Sequence, residues 1–414
     1  MQLESRPKLA HGRCVDPEET IARLDALIGA RHAYRVHEET LAAHLHWTAL
    51  FLEGDPDFRS MGKGVTPRWS LAGALAEGAE WLTARPTTRL PGYLAAHQHD
   101  VPDPVPLEDL LAHVATATPP LLARIKELDD ARHWVDGWSL RDQCPRKVPI
   151  EYVRMTHGPN GKASGNFLEE AIAHATLEVF ERRAHITVLR NRLVVPTIDP
   201  ATIDHPVIRD QLAFVRSKGI EVVLKDLSFG GVLPCVGAYF RDPNIPADLQ
   251  FHHFFKVGAS FNREEALLRA FTEFTQGRRA CDFCDGSPQT LARLLEPDFR
   301  RLHTRDDDCD NFLPAFLFGM VPCRNAAFLL DGDPVPFDRG PCHADCLDDI
   351  AHARAICELL GKDYLAIDLT DPELGFPVAQ VVIPGYSDVL PFHPADSPGL
   401  FRRWTRTEVL AAFT

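Results

Sequence analysis

The sequence has no long apolar run, few cysteines and a deficit of basic residues. No apolar stretch approaches the ~18 residues that a membrane-spanning helix needs. The first residues also lack the charged-then-apolar order of a secretion signal. These absences exclude a membrane protein and predict a cytoplasmic one. With 45% apolar and 25% charged residues in a chain of 414, the composition is globular, which excludes disorder, collagen and coiled coil.

The charge balance and the cysteines exclude two further classes. Lys and Arg number 44 against 58 Asp and Glu, which gives a net charge of -14. Because nucleic-acid affinity comes from basic residues that neutralise phosphates, we expect no nucleic-acid partner. Ten cysteines are too few for a disulfide scaffold. The spacing of Cys281 and Cys284 could supply half of a zinc site, with incidental loop thiols as the alternative.

Apolar periodicity predicts a chain of mixed helices and strands. An apolar stripe predicts helix within residues 17–53, and β-branched runs predict buried strands over 220–224 and 378–383. Five prolines make residues 85–110 a long connection with little regular structure. Because no change in composition marks a linker, we expect one large domain.

A glycine-containing loop that leads into a helix start occurs three times. The three segments are residues 60–67, 160–166 and 257–262. Their capping residues are Thr66, Asn166 and Asn262, and Pro67 and Glu169 add further helix-start signals. Such loops bring backbone N–H groups and positive helix ends to a common point, which suits phosphate.

Each following helix carries charged or polar residues on one face. The sets are Glu77 and Glu80, then Glu170, His174, Glu178 and Glu181, then Arg269, Glu273 and Gln276. Glutamates that share a face repel too strongly to stay buried and ionised without a cation. Phosphates and carboxylates together are typical surroundings of Mg²⁺, and Lys63 is suited to bridge phosphates. The pattern therefore predicts a Mg²⁺-nucleotide site built from three helix starts.

An alternative interpretation is that these helices are ordinary surface helices without a binding site. Glutamates three residues apart are common on solvated amphipathic helices, and each helix taken alone fits that description. The loop around Lys63 also matches neither the P-loop pattern nor the dinucleotide fingerprint. From the residues alone, both interpretations stay open.

The same segments resemble the signature blocks of the YcaO family. The blocks are residues 62–80, 160–182 and 266–278, and further likeness lies in a late Pro-Gly segment at 382–388 and an N-terminal stretch at 12–23. Their order and separations agree over nearly the whole chain. The resemblance implies an α+β fold of mixed sheets, with helices that cradle Mg²⁺-ATP, and a homodimer.

The resemblance also implies roles for particular residues, though no catalytic residue. Magnesium would be held by Glu77, Glu80, Glu178 and Glu181. The nucleotide and its phosphates would be lined by Arg13, Lys63, Asn166, Arg182, Gln276 and Arg278. Members of the family use ATP to phosphorylate a peptide-bond oxygen. A nucleophile then adds at the amide carbon and phosphate leaves, which gives an azoline, a thioamide or an amidine.

Two stretches depart from the family pattern. Gly73 and Trp81 stand where the first block usually has Ser and a final Arg, and Pro159 and Lys162 stand where smaller or apolar residues are usual. The lost Arg could weaken phosphate binding, or Lys162 could replace its charge.

The resemblance also suggests a division of the chain. Residues 1–56 are expected to be an N-terminal helical segment that reaches the nucleotide, and residues 57–396 the catalytic domain. Residues 397–414 would be a C-terminal tail without the proline-rich ending of azoline-forming members. We therefore expect thioamide or azoline formation, and the sequence favours the thioamide.

The sequence thus predicts an ATP-dependent enzyme that modifies a backbone amide in a peptide or protein. A separate partner would capture the substrate or deliver sulfur. Two alternatives remain: an accessory protein for methylthiolation of a ribosomal protein, and a degenerate, non-catalytic scaffold.

Overall fold

The computed structural model describes residues 1–83, 87–110, 133–280 and 326–387, together with residues 289, 292, 296, 297, 319 and 321. The helices are α1 (Pro17–Gly29), α2 (Pro67–Leu82), α3 (Leu107–Leu110), α4 (Ile150–His157), α5 (Leu168–Asn191), α6 (Pro206–Ser217), α7 (Arg263–Ala280) and α8 (Cys346–Leu359). None of the helices in these ranges is long and apolar enough to cross a membrane.

The described strands form three sheets. They are β1 (Tyr34–Ala42), β2 (Leu45–Leu52), β3 (Arg59–Gly64), β4 (Leu94–Ala95), β5 (His133–Ser139), β6 (Cys144–Pro149), β7 (Lys162–Ser164), β8 (Thr197–Ile198), β9 (Glu221–Asp226), β10 (Cys235–Arg241), β11 (His253–Ala259), β12 (Pro334–Val335), β13 (Leu365–Asp368) and β14 (Val378–Val382).

Sheet 1 is antiparallel with the order β1-β2-β3. Sheet 2 has the order β11-β10-β9-β8-β12, and β8 and β12 pair in parallel. Sheet 3 has the order β4-β5-β13-β14-β7, with β6 paired to β5. Mostly antiparallel sheets with separate helices are the α+β arrangement that the sequence predicts.

The N-terminal region departs from the prediction. The helix expected within residues 17–53 ends at Gly29, and β1 and β2 occupy most of the remainder. The apolar stripe that α1 buries ends at Ile28, and the segment after it contains residues that favour strands, among them Val36, Trp47 and Phe51. Strands β9 and β14 lie where buried strands are predicted.

Helix α5 is the central helix of the molecule. It packs against β7 and β14 of sheet 3, against β11 of sheet 2, and against α8. Most of its residues are buried, including Ile172, Val179 and Phe180. Because this helix is enclosed by the core rather than amphipathic, its glutamates and His174 are buried or partly buried rather than fully solvated.

The three loop-to-helix segments share a close contact between a glycine and the backbone of the following helix. A Cβ atom added at Gly62 would lie 1.9 Å from the carbonyl oxygen of Ser70, and one added at Gly258 would lie 2.0 Å from that of Ala266. One added at Gly165 would lie 2.6 Å from the backbone nitrogen of Ala171. These glycines are therefore required for the strand to lie directly against its helix.

The helix caps agree with the prediction at two starts of three. Thr66 Oγ1 accepts a hydrogen bond from the backbone N–H of Trp69 at 3.3 Å. Asn262 Oδ1 accepts one from the backbone N–H of Glu264 at 3.2 Å. The prediction that Asn166 caps α5 is wrong, because that helix begins one residue later, after Phe167.

Candidate functional site

The last turns of α2 carry the first pair of glutamates. Glu77 accepts hydrogen bonds from the backbone N–H of Met61 and from Trp81 Nε1, both at 3.1 Å. Glu80 Oε1 accepts two from Ser164 on β7, one from the backbone N–H and one from Oγ, both at 2.8 Å. Burial raises the pKa of both carboxyls, that of Glu77 to about 7.

The second pair lies on α5 and faces the first. Burial, opposed by the charge of Arg182 and reinforced by the charges of Glu181 and Glu80, raises the pKa of Glu178 to about 8. Burial also raises the pKa of Glu181, and Glu181 Oε2 is buried without a hydrogen-bond partner among the described residues. We call Glu77, Glu80 and Glu178 the acidic side of the site.

Helix α7 closes the opposite side of the site with an ion pair. Lys63 on β3 donates a hydrogen bond to Glu273 Oε1. Burial would raise the pKa of Glu273, but Lys63, Lys256 and Arg182 together lower it to about 2. We call Lys63 and Glu273 the paired side. Next to it, Arg269 Nη2 lies 3.7 Å from Glu181 Oε2.

An N-terminal segment crosses the start of α5 and brings Arg13 to the site. Arg13 Nη1 lies 2.5 Å from His174 Nδ1 and 4.0 Å from Glu170 Oε1. Burial, followed by the charge of Arg13, holds the pKa of His174 well below its usual range, so its neutral ring can accept this bond. Glu170 also accepts hydrogen bonds from the backbone N–H groups of Cys14 and Asn166.

Glu170 is a site residue that sequence reasoning left without a role. It is buried and ties the N-terminal segment to the loop before α5. Its position four residues before His174 on the same face was the available signal.

The other predicted nucleotide residues are placed as follows. Asn166 is buried and donates to Thr20 Oγ1 at 2.9 Å, so its side chain holds α1 in place. Gln276 lies on α7, and its Oε1 is buried without a hydrogen-bond partner in the described part of the chain. Arg182 lies on α5, with Nε 3.8 Å from Glu178 Oε1. The Arg278 side chain, Cys281 and Cys284 lie outside the described residues.

The carboxylates fit Mg²⁺ better than a metal that needs a complete protein cage. Within the described ranges, no three His, Cys, Asp or Glu side chains converge as a ready-made metal site. Magnesium does not require such a cluster, because it keeps waters and binds through one or two carboxylates plus substrate phosphates. The raised carboxyl pKa values and the unpartnered Glu181 Oε2 show where added positive charge would be stabilised.

A family model matches most of the chain. The model of YcaO cyclodehydratases, described as ATP- and Mg²⁺-binding, matches residues 61–387. This range contains the second and third loop-to-helix segments, all but the first residue of the first, and the four glutamates predicted to hold Mg²⁺. The chain belongs to the YcaO family.

Curated relatives match part of the chain and part of their own length. A protein of Methanothermobacter thermautotrophicus is 29% identical over 231 residues, which cover 52% of this chain and 56% of that protein. The ribosomal protein S12 methylthiotransferase accessory factor YcaO of Escherichia coli is 24% identical over 246 residues, 59% of this chain and 39% of that protein. The chain thus spans less than two thirds of these relatives.

Two solved structures share the fold. A heterocyclase in complex with substrate and cofactor has a TM-score of 0.71 at 20% identity, and the match covers 93% of this chain and 54% of that one. YcaO from Methanopyrus kandleri bound with AMPPCP and Mg²⁺ has a TM-score of 0.63 at 19% identity, over 93% and 95% of the two chains. The arrangement of helices and sheets is therefore of the YcaO type.

Proposed function

We propose that this protein uses Mg²⁺-ATP to activate a backbone amide in a peptide or protein. The observation that carries the proposal is that glutamates on α2 and α5 lie near enough to raise one another's pKa values, in addition to the effect of burial. Such a group is stabilised by a divalent cation. The family description, which names both ATP and Mg²⁺, supports the same ligand.

The side chains of the site match the needs of phosphoryl transfer. Glu77, Glu80, Glu178 and Glu181 would hold Mg²⁺, which neutralises charge on the phosphates. Arg13 approaches from the N-terminal segment, and Lys63, Arg182 and Gln276 lie around the same region. Phosphoryl transfer needs preplaced positive charge and positioning, and little covalent chemistry from the protein.

The proposed reaction proceeds in two stages. The amide oxygen takes the terminal phosphoryl group of ATP, and ADP leaves. A nucleophile then adds at the amide carbon, and phosphate departs with the original amide oxygen. A thiol or hydroxyl of a neighbouring side chain gives an azoline, and a sulfide equivalent gives a thioamide.

Azoline formation has the stronger support of these two outcomes. The family description names cyclodehydratases, and a structural neighbour is a heterocyclase. Thioamide formation stays a prediction. A role as an accessory factor is a second candidate, because the matched Escherichia coli relative carries that name.

We also propose that the protein works as a homodimer with a separate partner for substrate capture. Among the structural neighbours are two McbBCD microcin synthetase complexes, one of them with its pro-peptide bound. A partner of that kind would supply peptide binding, while the site described above would supply the activating step.

The direct test is calorimetric titration with a non-hydrolysable ATP analogue and Mg²⁺. We expect micromolar affinity, about −8 kcal/mol, and its loss in Glu178→Gln and Glu181→Gln. Glu358→Gln is a control, because Arg354 Nε lies 3.7 Å from Glu358 Oε1 on α8, an Arg–Glu pair four residues apart like Arg182 and Glu178 but in the opposite order. Wild-type protein that binds no nucleotide would contradict the proposal.

A further inference from the structure

Lys162 and Trp81 form a contact at the edge of the acidic side. Lys162 begins β7, and alternate residues of a strand share a face, so Lys162 and Ser164 both face α2. There Ser164 donates to Glu80 from its backbone N–H and its Oγ, and Oγ also lies 3.2 Å from the carbonyl oxygen of Ala76. Lys162 Nζ lies 5.4 Å from the centroid of the Trp81 ring.

The Trp81 side chain connects this ammonium to the glutamates. Its Nε1 donates to Glu77 Oε1 at 3.1 Å while its ring lies beside Lys162. A cation held against an indole is attracted to the face of its ring, more strongly when it is desolvated. The indole therefore orients Lys162 and Glu77 together.

Lys162 differs from the other basic residues of the site. Four of those have a carboxylate partner within 4.0 Å: Lys63 with Glu273, Arg13 with Glu170, Arg182 with Glu178 and Arg269 with Glu181. In the described part of the chain, Lys162 has the ring of Trp81 and no ion pair or hydrogen bond from Nζ. Its charge is thus available to a ligand.

The electrostatic surroundings keep this amine charged near neutral pH although it is desolvated. Burial lowers the pKa of Lys162 to about 8, and the charges of Glu80, Glu178 and Glu77 oppose this shift. The same glutamates are those predicted to hold Mg²⁺. Because Mg²⁺ shares its ligand shell between carboxylates and phosphates, phosphate oxygens bound to that ion would lie beside Lys162.

We propose that Lys162 Nζ, oriented by Trp81, binds a phosphate of the Mg²⁺-bound nucleotide. This inference rests on the proposed function and assigns a role to a residue outside the set predicted to line the nucleotide. Lys162 would then be the basic residue that binds phosphate on the acidic side, opposite the Lys63–Glu273 pair.

The test is calorimetric titration of Lys162→Met with Mg²⁺ and a non-hydrolysable ATP analogue. We expect binding that is 10- to 100-fold weaker, since a charged hydrogen bond is worth about 1.5 to 3 kcal/mol. Lys162→Arg should stay within about threefold of wild type, because it keeps the charge and can still stack on Trp81. Lys162→Met should retain the Mg²⁺ dependence, which Glu178→Gln loses.

Lys218→Met is the matched control, because Lys218 Nζ lies 5.3 Å from the Phe214 ring on the surface end of α6. It should bind the nucleotide as wild type does. Unchanged affinity in Lys162→Met would overturn the inference, as would a loss that Lys162→Arg fails to restore. Wild-type protein that binds no nucleotide would instead overturn the proposed function, so the two failures are distinguishable.

Discussion

The acidic side and the paired side of the site both carry glutamates on buried helices, but these glutamates differ in how readily they ionise. Burial raises the pKa of Glu77 to about 7 and that of Glu178 to about 8. Lys63, with Lys256 and Arg182, overcomes burial and lowers that of Glu273 to about 2. The difference lies in the residues opposite each glutamate: one side is already neutralised by the protein, and the other would be stabilised by a cation.

The largest expected effect is on stability, through the contact between β3 and α2, the helix that carries Glu77 and Glu80. Gly62→Ala would force a Cβ atom against the backbone of α2, 1.9 Å from the carbonyl oxygen of Ser70. We expect it to lower the free energy of unfolding by about 4 kcal/mol, as measured by chemical denaturation. Gly29→Ala is the control, since its nearest neighbour would lie 3.9 Å away. Equal stability of the two variants would contradict the packing.

The next effect is a pH dependence confined to the acidic side. Carboxylates must be ionised to bind a metal, so Mg²⁺-ATP affinity should rise as Glu77 and Glu178 lose protons near pH 7 and 8. We expect about tenfold per pH unit at most for each group, as measured by titration from pH 6 to about 7.5, below the pKa of about 8 at which Lys162 loses its charge. The paired side adds nothing in this range, because Glu273 is already ionised. Affinity that falls with rising pH would break the comparison.

A smaller effect is expected when the paired side loses its cation. Lys63→Met leaves the charge of Glu273 without its nearest partner and should lower the free energy of unfolding by about 2 kcal/mol, less than for a fully buried pair because both side chains are partly exposed. The loss should be measured at pH 7. A lowered pKa contributes stability above the unfolded value of 4.5, and that stability disappears as pH falls through about 2.

The matching experiment is a double-mutant cycle. Glu273→Gln added to Lys63→Met should recover part of the lost stability, because the unpaired charge is then absent. Additive losses in the double variant would show that the two side chains do not interact.

The smallest expected effect has the opposite sign. Glu178→Gln should raise the free energy of unfolding of the nucleotide-free protein by about 1 kcal/mol, because it removes a group that folding makes harder to ionise. A raised pKa costs stability as pH rises from the unfolded value of 4.5 to about 8. The gain should therefore appear in denaturation curves at pH 8 and vanish at pH 4. Destabilisation at pH 8 would contradict this, because it would mean that the charge of Glu178 is stabilised by the protein, as that of Glu273 is.

Much of the fold class and the acidic side could be predicted from the sequence. The spacing of Glu77 and Glu80, and of Glu178 and Glu181, is a local property of a helix, and the structure brings Glu178 near Glu80. The strands of the N-terminal region were missed because β1 is largely exposed and lacks a buried alternation.

The charge state of each glutamate could not be predicted, because it depends on contacts between distant segments. Lys63 was expected to bridge phosphates, but β3 and α7 bring it to Glu273. Nucleotide phosphates would have to compete with that carboxylate for Lys63. The approach of Lys162 to Trp81 likewise depends on α2 packing against β7, which no periodicity in either segment indicates.

The close glycine contacts at the three helix starts have a consequence for which residues of the site can be substituted. Gly62, Gly165 and Gly258 lock each strand or loop to its helix through backbone atoms, so the positions of α2, α5 and α7 depend little on which side chains face the ligand. A charged side chain on one helix can then be replaced by one on a neighbouring strand while the backbone stays the same. The specificity of such a site can therefore change through substitutions at the ligand-facing positions alone.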